Sequence, residues 1–308
     1  MAVGWSLASA EVGGRSVAAA ICADGRVVSI DVLPPALRPL DVVSRWGEYA
    51  AALQGWSPDD APALSGFRLR APLQFPPKVI CAGANYRDHR REMNTGDSAP
   101  EPFFFLKPPT TTVIGPDEDV LIRDVGDKVD WEAEIAVVIG RGGRFIPAAK
   151  ALDHVAGYTL LNDISARAVH QRAKPLAPAF AYDWLASKGQ DTFCPLGPGI
   201  TPRWLLPDCG RISFQLTVNG VVRQASSTAE LITDIPGLIA AASELMALEP
   251  GDVIATGTPG GVGAATGDFL KNGDVMTISA PGIGSLTNRV RLSGRTGGFE
   301  AAVATARS

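Results

Sequence analysis

Histidine is the scarcest chemistry-bearing residue in this sequence, with three among 308 residues, so any reaction that relies on imidazole has few candidates. Charge is sparse too. Asp, Glu, Lys and Arg make up 19% of the chain, against roughly 25% in soluble domains. The formal net charge is -4 and there is no basic run, which excludes nucleic acid as a partner, because neutralising phosphates needs clustered Lys and Arg. No apolar stretch approaches the roughly 20 residues of a membrane span, so no membrane partner is expected. The apolar stretch at 17–23 is too short for a signal peptide and stops at Asp24-Gly25. The four cysteines, at 22, 81, 194 and 209, include no C-x-x-C. Neither a zinc site nor a disulfide framework is indicated, and a reduced, cytoplasmic setting fits best. The sequence also lacks the P-loop, the G-x-S-x-G elbow and H-E-x-x-H, which removes the nucleotide, serine-hydrolase and zincin readings that rest on them.

What is present is a chain that is 46% hydrophobic with 33 Gly and 24 Pro, enough to bury a large core between many turns. Apolar runs at 16–23 and 26–33 meet at Asp24-Gly25 and predict a hairpin. Residues 40–53 carry helical spacing at Val42, Val43, Trp46, Tyr49, Ala50 and Leu53. Gln74-Phe75-Pro76-Pro77 reads as a boundary, because two prolines exclude both helix and central strand. Beyond it short strands dominate: 79–82, 135–139, 158–161, 212–218 and 221–224 about Asn219-Gly220, 253–255 and 275–279. One helix is clear, at 235–247 with Asp234 as N-cap and Pro236 in its first turn, and another is expected from Pro147 to before Gly157. The expected fold class is mainly β or α+β, not a doubly wound sheet. Residues 1–73 are expected to form a small N-terminal α/β domain, 74–294 a catalytic domain, and 295–308 a disordered tail.

The strongest local signal is Asp130-Trp131-Glu132-Ala133-Glu134 running into an apolar strand. On a strand alternate residues share a face, so Glu132 and Glu134 project together, Asp130 can join them, and Trp131, Ala133 and Ile135 point the other way. Like charges on one face repel unless a cation sits between them, and oxygen clusters of this kind hold Mg²⁺, Mn²⁺ or Ca²⁺. A charged, solvent-facing strand edge is the alternative. Asp163, at the end of an apolar run, would extend the ligand set, or simply cap a following helix. His89 and Glu92 have i, i+3 spacing, which on a helix puts imidazole and carboxylate on one face, as a general base requires. An ordinary exposed His/Glu pair has the same spacing. Lys188 stands out because there are seven lysines against twenty-one arginines. The segment 256–263, Thr-Gly-Thr-Pro-Gly-Gly-Val-Gly, follows an apolar strand and offers backbone N–H groups to an anion, or makes a tight turn.

In this order the segments resemble the fumarylacetoacetate hydrolase family over 78–291. The landmarks are Gly83-x-Asn85-Tyr86-x-x-His89-x-x-Glu92, Phe103-Phe104-Phe105-Leu106-Lys107-Pro108, the E-x-E pair, Asn162-Asp163-x-Ser165-Ala166-Arg167, Lys188, and Thr256-Gly257-Thr258-Pro259-x-Gly261-Val262-Gly263. The resemblance implies a roll or barrel of mixed β-sheets, usually homodimeric. It also implies Mg²⁺ or Mn²⁺, with Ca²⁺ able to take its place in a crystal, on Glu132, Glu134 and Asp163. His89 with Glu92 would activate water or move a proton, and Lys188 would stabilise developing negative charge. Tyr86, Arg167, His170, Gly257 and Thr258 would contact the substrate, and the segment from Asn85 to about residue 95 would act as a lid. Two departures are His170, where members often carry Gln, and Gly189, where Ser-Phe often follows the lysine.

The leading expectation is a metal-dependent hydrolase that cleaves a C–C bond in an acylpyruvate-type 2,4-dioxo acid, in small-molecule catabolism. The alternatives are a decarboxylase, tautomerase, isomerase or hydratase of a related 2-oxo acid such as oxaloacetate, since the same scaffold serves all of them. A non-catalytic binding protein that keeps the fold is the third reading.

Overall fold

A computed structural model describes residues 4–94 and 101–293. The expected tail at 295–308 and the far end of the expected lid lie outside the described residues. The molecule is mainly β with few helices. One large mixed sheet runs, in order, Val27–Ser29, Arg15–Cys22, Trp5–Val12, Cys194–Pro202, Val155–Asn162, Ala133–Ile139, Val253–Ala255, Val79–Gly83 and Phe103–Lys107, with Phe67–Arg70 and Val113–Ile114 pairing off this path. A second sheet of five strands holds Val221–Ser227, Ser213–Val218, Val275–Ala280, Gly284–Leu292 and Asp119–Ile122.

Burial explains the two kinds of strand. Ala133–Ile139 and Val155–Asn162 are buried at every position, so they read as largely apolar stretches without alternation, broken by Glu134 in the first and by Thr159 and Asn162 in the second. Ser213–Val218 and Val275–Ala280 alternate between buried and more exposed positions and bury one face only. Along Ala133–Ile139 the side chains alternate between two core clusters. Ala133, Ile135, Val137 and Ile139 join one with Trp131, Tyr158 and Phe214, while Ala136 and Val138 join the other with Leu7, Leu53, Val79 and Val253. This strand therefore lies between two packed layers, and its N-terminal end carries the acidic pair.

The hairpin at Asp24-Gly25 forms, with Ala20 opposite Val28. So does the one at Asn219-Gly220, where both residues have positive φ (51° and 79°), as a type I′ turn requires. The helix Ile235–Leu245 has its Asp234 cap, whose carboxylate accepts from the Gly237 N–H at 2.8 Å. Two helix expectations need correction. The run at 40–53 is two helices, Pro39–Ser44 and Trp46–Gly55, because the backbone of Arg45 leaves the helical region (φ -118°, ψ 36°). After Pro147 comes the 3₁₀ segment Ala148–His154, and the strand that follows starts at Val155, paired with Ile139. β-branched Val155 and a waiting partner strand favour extension over further helix.

The N-terminal strand Trp5–Val12 pairs antiparallel with Cys194–Pro202, Leu7 opposite Ile200. Trp5, Leu7, Val28 and Leu53 share a core cluster with Val79, Cys81, Leu196 and Val253. The Pro76-Pro77 segment is thus a bend between parts of one continuous sheet. Among the described residues no helix is long and apolar enough to cross a membrane.

Candidate active site

Three strand ends and one short helix converge on a buried acidic group. Glu132 lies just before Ala133–Ile139, Glu134 within it, and Asp163 just after Val155–Asn162. The two antiparallel strands are held in register at this end: the Asn162 side-chain oxygen accepts from the Glu132 N–H at 3.0 Å, and the Glu132 carbonyl accepts from the Asp163 N–H at 2.8 Å. Glu132, Glu134 and Asp163 each offer a carboxylate oxygen within 4.8 Å of the others, and all three are buried. Three ionised carboxylates this close, out of water, require positive charge between them. Their oxygens are the donor set that Mg²⁺ or Mn²⁺ prefers, so the residues fit a divalent cation.

Lysine supplies part of that charge. Lys188, at the end of the helix Trp184–Lys188, donates from Nζ to Glu132 Oε2 and to Asp163 Oδ2, both at 2.6 Å. Burial alone would discharge this ammonium; Asp163 and Glu132 outweigh burial and hold its pKa above the ordinary lysine value. Its Nζ also lies 5.2 Å from the centre of the Phe105 ring. Lys107, 1% exposed at the end of Phe103–Lys107, takes the other side of Asp163, with Nζ donating to Oδ1 at 2.5 Å and to the Ile164 carbonyl at 3.1 Å. The sequence reading assigned it no role. Its signal was a rare lysine at the end of a run of aromatic and aliphatic residues, where a charge needs a buried partner.

The acidic residues are unequal. Burial would raise Glu132, but Lys188 and then Arg167 hold it well below the usual carboxylate range. Glu134 receives no such contact. Burial first, then Asp163 and Glu132, push it well above that range, against the pull of the Gly257 N–H that donates to its Oε2 at 2.7 Å. Asp130 does not join the group, which corrects that expectation. It accepts from the Gly263 and Ala264 N–H groups at 2.7 and 3.0 Å and from Arg167 Nε at 2.8 Å, and it pairs through Ser165 with the two-residue strand Ser165–Ala166. That strand stands where a helix after Asp163 was expected.

His89 and Glu92 share one face of the helix Arg87–Glu92, with His89 Nδ1 3.1 Å from Glu92 Oε2. His89 is 7% exposed and close enough to bear on the charge of Glu132. Glu92 Oε1 accepts from the Gly261 N–H at 3.0 Å. Burial opposes ionisation of Glu92; the contacts from His89 and Gly261 prevail and lower its pKa.

The glycine-rich loop runs beside the acidic strand and is fastened to it residue by residue. The Thr256 hydroxyl donates to the Ile135 carbonyl at 2.8 Å, the Gly257 N–H to Glu134, the Thr258 hydroxyl to the Ala133 carbonyl at 3.0 Å, and the Gly263 N–H to Asp130. Gln224, buried and missed in the sequence, donates to the Thr258 hydroxyl at 2.9 Å and to the Pro259 carbonyl at 2.8 Å.

The remaining expected contacts divide. Arg167 borders the acidic group, but its guanidinium is engaged by Asp130 and, at 2.6 Å, by Glu132. His170 packs edge-on against Trp184 at 4.5 Å between ring centres, and its buried Nδ1 has no hydrogen-bond partner among the described residues. Tyr86 is fully buried in the core, its ring 6.2 Å from that of Phe214. Gly257 and Thr258 lie at the acidic group through the bonds just given. Gly189, the second departure, closes the lysine helix where a Cβ would meet Leu185 Cδ1 at 2.5 Å.

Comparison with known proteins places this geometry in context. Residues 78–291 match the family described as "Fumarylacetoacetate (FAA) hydrolase C-terminal". The chain is similar to an oxaloacetate tautomerase of Bacillus subtilis, 40% identical over 232 residues that cover 74% of each chain. It is similar in structure to a fumarylacetoacetate hydrolase from Exiguobacterium antarcticum, with a TM-score of 0.77 and 34% identity, covering 94% of this chain and 100% of that one. It is also similar to a maleylpyruvate hydrolase from Sphingobium sp. SYK-6, solved with manganese(II) ion and pyruvate. There the TM-score is 0.72 and the identity 29%, over 94% of this chain and 100% of that one.

Proposed function

Because the chain belongs to the fumarylacetoacetate hydrolase family, we propose that it is a divalent-metal-dependent enzyme that moves a proton beside the carbonyl of a 2-oxo acid, interconverting its keto and enol forms. The observation that carries this reading is that one glycine-rich loop is bonded both to Glu92 of the His89–Glu92 pair, through the Gly261 N–H, and to Glu134 of the buried carboxylates, through the Gly257 N–H. Glu132, Glu134 and Asp163 would hold Mg²⁺ or Mn²⁺. When bound, the cation would act as a Lewis acid that stabilises enolate charge.

The chain's own residues supply the rest. Glu92 fixes the orientation of the His89 ring through Nδ1, which leaves Nε2 to give or take the substrate proton. Lys188 adds a fixed positive charge in a buried setting, where it is worth more than in water. Lys107 and Arg167 hold Asp163 and Glu132 in place. The name of the Bacillus relative favours proton transfer. C–C bond hydrolysis of a 2,4-dioxo acid, the leading expectation from sequence, is the second reading and is favoured by the Sphingobium neighbour.

The test is to follow oxaloacetate enol absorbance and, separately, pyruvate release from acylpyruvates, with Mg²⁺ or Mn²⁺ present. Faster enol loss without pyruvate release is expected; pyruvate release from acylpyruvates would install the second reading. His89→Ala should keep metal binding by calorimetry and lose at least about a hundredfold in turnover. Full turnover in that variant would remove His89 from the mechanism.

A further inference from the structure

The proton-transferring pair is held from the metal-binding strand through a residue that no part of the proposed chemistry uses. Trp131 lies between Asp130 and Glu132, is 2% exposed, and belongs to the core on the side of the strand away from the acidic pair. Its indole N–H does not stay in the core. It donates to the Gly261 carbonyl at 3.0 Å. The N–H of the same glycine donates to Glu92 Oε1 at 3.0 Å, and the other oxygen of Glu92 lies 3.1 Å from His89 Nδ1. One residue of the loop is thus gripped by the strand through its carbonyl and grips the pair through its amide.

The join admits only glycine. Gly261 has φ +96°, and a Cβ there would lie 2.0 Å from the Arg223 carbonyl oxygen. The Arg223 guanidinium sits 5.7 Å from the centre of the Trp131 ring and pairs with Asp268 at 2.7 Å, so the indole is confined on that side too. Holding the carbonyl restrains the Gly261 Cα and, through it, the adjoining peptide plane that carries the N–H. Phenylalanine or tyrosine at position 131 would fill most of that space but bring no N–H to this point.

We infer that Trp131 is a positioning residue for the reaction: its indole N–H fixes Gly261, and through Gly261 the orientation of Glu92 and His89. This rests on the reading that His89 and Glu92 carry the proton. The step is purely one of geometry: the carbonyl and the amide of Gly261 belong to different peptide planes and are linked through its Cα alone.

Trp131→Phe keeps an aromatic ring, smaller than the indole, and deletes the donor. It should lower kcat by about tenfold while leaving KM, oxalate affinity and metal affinity within about twofold. A readout independent of turnover is available because the chain has three histidines, so the imidazole signals of His89 can be followed by NMR. They should move in Trp131→Phe, and should show no further movement when Trp131→Phe is added to Glu92→Ala, because sites that act through one another are not additive. Unchanged His89 signals in Trp131→Phe, or an equal movement in both backgrounds, would overturn the inference whether or not the reaction is the one proposed. Movement of those signals in a protein that turns over no 2-oxo acid would sink the proposed function and leave the relay standing.

Discussion

At the scale of single residues, the acidic group is organised by which carboxylate has a cation against it. Glu132 touches Lys188 and Arg167, Asp163 touches Lys107 and Lys188, and Glu134 accepts from the Gly257 backbone amide, with no cation bonded to it among the described residues. The same cations act on a neighbour of opposite tendency. Burial first, then Lys188 and Arg167, lower the pKa of His170 below the free-imidazole value of 6.5. The folded state therefore binds this proton less readily than the unfolded chain, and the unfolded chain gains protons first as pH falls below 6.5. Neutral His170 is fully compatible with the fold above that value, and stability is lost as pH drops from there through its folded pKa. His170→Gln should accordingly lose less thermal stability between pH 7.5 and pH 5 than the parent protein; an equal or larger loss would contradict this. Residues with local signatures were readable from sequence: the E-x-E pair by its period of two, and His89 with Glu92 by i, i+3 spacing. Lys107, Gln224 and the loop partners of Asp130 were not, because the Lys107–Asp163 pair, the bond from the Ala133 N–H to the Gln224 side-chain oxygen and the bond from the Gly263 N–H to Asp130 span 56, 91 and 133 residues of chain. No local pattern encodes such pairings.

At the scale of elements, the site is a strand and a loop fastened side by side, with a short helix on either flank. Carboxylate and indole groups in and just before the strand meet the loop's backbone, and the loop's threonine hydroxyls meet the strand's carbonyls. Glycine and threonine suit this segment because the loop lies close against its neighbours; a Cβ on Gly263 would come within 2.0 Å of the Asp268 carbonyl. Elements defined by their own chemistry were legible: two hairpins by their turn dipeptides, and Ile235–Leu245 by its cap, its proline and its apolar face. Elements defined by tertiary demand were not, as the split at Arg45 and the 3₁₀ segment before Val155 illustrate. The cap offers a clean test. Asp234→Ala removes the acceptor for the Gly237 N–H and should cost about 1 kcal/mol in urea denaturation, with Asp234→Ser retaining most of it. No difference between the two variants would mean that solvent satisfies this helix end equally well.

At the scale of the whole molecule, one sheet joins the first strand of the chain to the strands that carry the site. Trp5–Val12 lies next to Cys194–Pro202, which lies next to Val155–Asn162, whose end bears Asp163. Apolar residues from both sides of the Pro76-Pro77 bend pack in a common cluster. Calorimetry of the full chain is therefore expected to show a single unfolding transition whose van't Hoff and calorimetric enthalpies agree. A separate early transition, assigned to residues 1–73 by limited proteolysis, would show that this segment melts by itself. The family resemblance in the sequence covered 78–291 and said little about the first strands, because a short hairpin carries few distinguishing residues and its partner strand lies nearly two hundred positions away.

The bridging of Glu132 and Asp163 by Lys188 has a consequence for the order of events in the life of the protein. A group of buried acids that relied on an ion alone would be unable to assemble before that ion arrived, as in small domains that fold only around metal. Here the chain brings its own counter-charge. The acids can be gathered while the polypeptide folds, and on the proposed reading a divalent cation would then meet a finished cradle. Folding and loading would then be separable, because the fold would not depend on the ion for its counter-charge.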